Sequence, residues 1–284
     1  MGKRNLQQKI FYILLLLITL VVVMFVFGII FYLIYKGVSS LSWEFLTEFP
    51  SNGMREGGIL PAIIGTLYLV IGTIIFALPI GVFAAIYINE YAPKSRFTRI
   101  VRLSIINMAG VPSVVYGLFG LGFFVLFLQF GKSILSGSLT LALMILPVII
   151  TSTEEALKSV PDTYRQASLA LGATKWQTIS KVVLPQALPG ILTGSIIGIG
   201  RAAGETAPII FTVAAFSQPQ LPNSIFSQVM ALPYHLYVLA TQVTNAPQDK
   251  QWGTALVLLI IVLLFSAVGS LIRARQRLRK KELS

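Results

Sequence analysis

The chain has 284 residues, 55% of them hydrophobic and only 11% charged, with a net charge of +12. Soluble domains carry about 25% charged residues, so this composition excludes a soluble enzyme and describes one membrane domain. Cysteine is absent, which excludes disulfides, thiolate nucleophiles and Cys-ligated metals, and the single His235 lacks the partners of a metal site and reads as an ordinary loop or interface residue.

Apolar runs of about 20 residues mark membrane spans. The first, Ile10 to Tyr35, is longer than the about 7–15 residues of a cleaved leader and is expected to stay as an anchor. The second is Ile59 to Asn89, the third Leu103 to Gly131, and the fourth Ser133 to Thr153. The fifth, Gln186 to about Phe216, is apolar except for Arg201 and Glu205, and Gln251 to Ile272 is the sixth. This predicts an all-α polytopic protein: a short N-terminus over 1–9, a six-span domain over 10–275 and a basic tail over 276–284.

Lysine and arginine positions orient these spans. With the N-terminus in the cytoplasm, Lys3, Arg4, Lys9, Lys94, Arg96, Arg99, Arg102, Lys158, Arg165, Lys175, Lys181 and the tail cations from Arg273 to Lys281 are inside. Only Lys36, Arg55, Lys132 and Lys250 fall outside, so both termini are expected in the cytoplasm of a multi-pass protein. Nucleic-acid binding is not needed to explain the charge. The segment from Gln218 to Gln248 carries Pro219, Pro222, Pro233 and Pro247 and reads as an outer loop whose short helix lies on or dips into the membrane.

The inside segment 154–185 is the most patterned. Ser159-Val160-Pro161-Asp162 predicts a helix stop and restart, and Gly172 is placed to end the next helix. Thr174 is a candidate N-cap for a second short helix stopped at Pro185. Glu154 and Glu155 read as solvated charges at a span's end. Gly131-Lys132-Ser133 is not a phosphate-binding loop, because the required upstream glycine is Leu126 and no strand precedes it.

Within the fifth span, "RAAGETAP" (201–208) places two charges where each costs roughly 2.5–3.5 kcal/mol to insert. On one continuous helix over 188–216, Gly194, Gly198, Arg201, Glu205, Pro208 and Thr212 fall near one face, with Thr206 beside them. Arg201 and Glu205 are spaced to pair. A guanidinium offers a planar fork of donors suited to tetrahedral oxyanions, phosphate first, and the glutamate keeps the attraction weak enough for release. The alternative is an ion pair that only locks helices together. Gly190, Gly194 and Gly198 form a small-residue series that lets another backbone approach and is expected to need a partner.

Two resemblances follow from these residues. Gln166-Ala167-Ser168, Gly172, Val182 and Leu184-Pro185 are similar in spacing to the EAA loop of ABC-transporter permeases, with Gln166, Ser168 and Val182 replacing the usual glutamate, alanine and isoleucine. The strings "GRAAGETAP" and "GGILPAIIGTLYL" (57–69) resemble the PstA-type inner-membrane permeases of phosphate-specific ABC importers. The resemblance implies the type I importer (MetI-like) permease fold in a bacterial or archaeal cytoplasmic membrane. It implies a non-catalytic subunit that binds no cofactor, with ATP–Mg on a partner. It also implies a homologous second permease, two ATPase copies docked on the EAA-type loop, and an extracytoplasmic phosphate-binding protein. Arg201, Glu205, Thr206 and Thr212 would line the phosphate path. A permease for sulfate or molybdate, or a secondary transporter using the Arg201–Glu205 pair as a relay, stay open as alternatives.

Overall fold

The computed structural model describes residues 2–218 and 220–281. It is a helical bundle whose only sheet among the described residues is the two-residue pair β1 (Pro50–Ser51) and β2 (Glu56–Gly57). The first helix, α1 (Gly2–Gly37), is uncharged from Ile10 to Tyr35 and leans on the last helix, with Tyr32 edge-on to Trp252. A short helix α2 (Trp43–Thr47), N-capped by Ser42, leads through the β pair to α3 (Leu60–Ile86). Pro61 sits in the first turn of α3, where its missing N–H costs nothing. A π-helical turn, Tyr87–Tyr91, extends this span.

The predicted third span is not straight. It consists of α4 (Arg96–Ala109) and α5 (Ser113–Gly120, prolonged by a π turn over Leu121–Phe127), with a bend of 104° between them. Pro112 explains the break: it disfavours helical geometry at Val111 and has no N–H to offer. Among the described residues, five helices are therefore long and apolar enough to cross a membrane, or six when the bent pair counts as one. Ser133 caps α6 (Ile134–Lys158), which forms the centre of the bundle.

After α6 come α7 (Asp162–Ala170), α8 (Lys175–Thr178), α9 (Leu184–Gly204), α10 (Ala207–Thr212), α11 (Leu232–Thr241) and α12 (Gln248–Lys281). The largest core joins Leu69 and Ala77 of α3, Leu141, Ile145 and Ile149 of α6, and Ile209 and Val213 at α10. A second core, around Met54, Ile59, Met230, Leu232 and Leu239, closes one end, and a third, around Ile86, Leu157, Ile179 and Val183, closes the other.

The glycine series of α9 faces α6 of the same chain, not a partner. Gly190 lies on Ala156, Gly194 on Ser152 and Gly198 on Ile145 and Ile149. A Cβ at Gly194 would overlap the Ser152 side chain. Gly194→Leu is expected to destabilise the inserted chain by about 1–3 kcal/mol, while Gly194→Ala combined with Ser152→Gly should restore the protein level measured in detergent extracts.

The segment 218–248 holds the short helix α11, but it is buried rather than laid on a surface. Val229 to Leu232 are at most 1% exposed, and the Leu232 N–H donates to the Thr66 hydroxyl at 2.8 Å. His235 is therefore no loop residue: it is 3% exposed within α11. Burial first, then the nearby Lys250 charge, lowers its pKa from 6.5 to about 4. The folded state thus resists a proton that the unfolded chain accepts. Stability in detergent is expected to fall as pH drops from about 6.5 towards 4, by up to about 3 kcal/mol. His235→Gln should flatten that part of a melting-temperature profile against pH.

Candidate translocation and coupling sites

Arg201 is in the last turn of α9, which ends at Gly204. The predicted continuous helix over 188–216 is interrupted: Glu205 is extended and α10 restarts at Ala207. Pro208 accounts for the break, since its ring would collide with the carbonyl four residues earlier. The two charges still meet, with Arg201 Nε donating to Glu205 Oε1 at 3.3 Å. Arg201 remains 37% exposed on the isolated chain and Glu205 18%. The pair therefore faces away from the core, so Gly194 and Gly198, which are buried, do not share its face.

Of the other predicted path residues, Thr206 occupies the break and is half-buried. Thr212 is fully buried; its hydroxyl donates to the Pro208 carbonyl at 2.9 Å and its own carbonyl accepts from Ser133 N–H. The interruption of α9 separates it from Arg201, and its polar groups are already used.

The two interrupted spans meet here. Gly117 of α5 lies against Pro208 and Phe211 of α10. Tyr116, which sequence reasoning missed, is close enough to Arg201 to feel its charge, and its hydroxyl donates to the Met108 carbonyl at 2.8 Å. Non-helical backbone at membrane depth is tolerated only inside protein or along a water-filled path. A cation with free donors beside two such breaks is a place where an anion can exchange its water shell for protein groups.

The segment 154–185 forms a knob at the end of the bundle. Asp162 starts α7 after Pro161, and Gly172 turns the chain with φ +82°. Thr174 and Gln177 form a reciprocal capping box on α8. The knob presents Tyr164, Leu169, Leu171 and Trp176 outward, Leu171 at 89% exposure. Gln166 and Ala167 lie exposed on α7, while the Ser168 hydroxyl bonds that of Thr178 at 2.9 Å and ties the two helices. Val182 and Leu184 are half-buried beneath.

Pro185 does not stop the helix. A π turn over Ile179–Val183 widens the backbone, with the Leu184 N–H reaching the Ile179 carbonyl, so Pro185 falls in the first turn of α9 and the rod continues. Glu154 departs from its reading as a solvated charge. It is 8% exposed, with Arg102 at 2.9 Å and Lys158 at 2.8 Å; the Arg102 contact is an ion pair rather than an aligned hydrogen bond. Glu155 does stay in solvent. Its burial and two cations make Glu154 a structural group: Glu154→Gln would remove the carboxylate that Arg102 and Lys158 share. No His, Asp or Glu group among the described residues could hold a metal.

Comparison with known proteins places this geometry. Residues 77–281 match the family described as binding-protein-dependent transport system inner membrane components. A probable phosphate transport system permease protein PstA of Methanocaldococcus jannaschii is 36% identical over 261 residues, covering 92% of this chain and 91% of its own length. The probable ABC transporter permease protein YqgI of Bacillus subtilis is 36% identical over 253 residues, covering 84% and 85%. Among solved structures, a chain of a bacterial ABC transporter that imports the acidic polysaccharide alginate superposes with a TM-score of 0.68 at 16% identity, over 96% of this chain and 98% of that one. A chain of the inward-facing MetNI methionine ABC transporter gives 0.61 at 19% identity, over 80% and 99%. These structures share the fold. The sequence matches carry more: the chain belongs to the family of binding-protein-dependent transport system inner membrane components.

Proposed function

We propose that this chain is the membrane subunit of an ATP-driven importer that carries inorganic phosphate across the cytoplasmic membrane. The observation that carries the reading is the partly exposed Arg201–Glu205 pair beside two interrupted spans, in a chain 36% identical to a relative named as a phosphate permease. Arg201 supplies a fork of donors for a dehydrating phosphate, and Glu205 offsets the charge so that the anion leaves again. Thr206, at the break, adds a hydroxyl on the same path.

One subunit supplies only one wall of such a path, so a homologous second permease covers the exposed face of Arg201. ATP hydrolysis belongs to a separate ATPase in two copies, seated on the knob of α7 and α8. A phosphate-binding protein delivers the anion from the opposite side, and both termini lie in the cytoplasm.

The test is reconstitution of the assembled complex in vesicles loaded with ATP–Mg. Uptake of labelled phosphate that excess sulfate and molybdate do not suppress is expected. Uptake of sulfate or molybdate in preference to phosphate would move the assignment to another oxyanion, and purification of a lone transporter with no ATPase would remove it from this class.

A further inference from the structure

We infer that the coupling knob and the basic-end tip of the second span, Tyr87–Tyr91, move as one body, so that force from the ATPase enters the membrane through Glu90 and Tyr91. The inference rests on the reading of this chain as an ATP-driven permease.

Three separate elements converge on that short π turn. Arg165 of α7 is 16% exposed and reaches Glu90, itself 9% exposed, through Nη2 at 2.8 Å and Nε at 3.4 Å. The same guanidinium donates to the Leu157 carbonyl at 2.9 Å, the Val160 carbonyl at 2.7 Å and Asp162 at 3.2 Å. Lys175, which opens α8, lies over the Tyr91 ring at 4.7 Å. Arg102 of α4 donates to the Ile88 carbonyl at 3.3 Å while pairing with Glu154 of α6.

Each contact has a reason to persist. The fork of Arg165 meets the carboxylates of Glu90 and Asp162 and the carbonyls of Leu157 and Val160 at the end of α6, so every donor is used on a largely buried guanidinium. A surface ion pair would slide under load; a buried one with satisfied donors does not, because separating it strands two charges. Arg165 is therefore a positioning residue. It stands immediately before Gln166, in the helix that presents the knob, and ties that helix to a span 75 residues away in sequence. The π turn itself is a widened helix segment of a kind often found at functional sites. Ile88 within the turn and Ile86 at the end of α3 are both buried in cores, so displacement of the turn is passed to α3.

The absence of cysteine allows a direct test in the whole complex. Tyr91→Cys and Lys175→Cys, joined by a short bis-maleimide, lock knob to span. ATP hydrolysis by the crosslinked complex is expected to stay within twofold of the unlinked sample. A fall of tenfold or more would mean that the knob pivots over the span, and would overturn the inference. Glu90→Gln provides the second readout, phosphate moved per ATP hydrolysed. We expect that ratio to drop at least fivefold while hydrolysis continues; an unchanged ratio, even with less complex assembled, counts against the inference by showing a merely structural pair. Failure of the unmodified complex to move phosphate would count against the phosphate reading alone, since the crosslinking arm is read from ATP hydrolysis.

Discussion

Arg201→Gln is expected to lower phosphate uptake per inserted complex by about a hundredfold. A charge-assisted hydrogen bond is worth about 1.5–3 kcal/mol, and glutamine forfeits the charge as well as the planar fork that a tetrahedral anion can engage twice. Arg201→Lys keeps the charge but offers a single point of contact, so partial uptake should remain. Glu205→Gln should also impair transport, through tighter retention of the anion or a misplaced guanidinium. The discriminating variant combines Arg201→Gln with Glu205→Gln. If the pair were scaffolding alone, each single change would strand a charge and the double change would recover both protein level and uptake. The geometry argues otherwise: with Arg201 37% exposed on the isolated chain, the pair is not enclosed by its own helices. Wild-type uptake by the double variant would remove Arg201 from the phosphate path.

Gly172→Val is expected to abolish coupled uptake while leaving the chain inserted. Gly172 has φ +82°, and nothing lies within 4 Å of where its Cβ would stand. The effect of a side chain is therefore backbone strain alone, of order 1–3 kcal/mol for a β-branched residue. The turn between α7 and α8 relaxes that strain by shifting Leu171 and Trp176, the exposed apolar groups of the knob. Gly172→Asn should do much less damage, because asparagine enters the left-handed region readily. Measured as ATPase retained on the purified membrane subunits, the order glycine, asparagine, valine is expected; equal retention by all three would dissociate the turn geometry from docking.

Local chemistry was the legible part of this molecule. The stop at Pro161, the turn at Gly172 and the cap at Thr174 are each set by a few neighbouring residues, and each is found where the sequence puts it. Six apolar runs were equally plain, because hydropathy is a sum along the chain. What hydropathy cannot register is direction. Leu103 to Gly131 is uniformly apolar, yet the chain bends by 104° within it, and only Pro112 signalled the possibility. Pro208 likewise warned that the helix through Arg201 would not reach Thr212, whereas Pro185, equally conspicuous, is absorbed by a π turn. The difference lies in neighbouring packing rather than in the prolines. Partners distant in sequence were illegible: nothing near Glu90 announces Arg165, and nothing near Glu154 announces Arg102.

The unbroken passage from α8 through its π turn into α9 has a mechanical meaning. Lys175 to Gly204 behaves as one strut, and at 1.5 Å per residue Arg201 stands about 40 Å from its foot. A tilt of about 10° at the foot would sweep the guanidinium sideways by about 7 Å over that reach, more than the width of a phosphate ion. A small tilt of the knob is thus amplified into a larger lateral stroke at Arg201, to the extent that Pro189 inside α9 does not bend the rod.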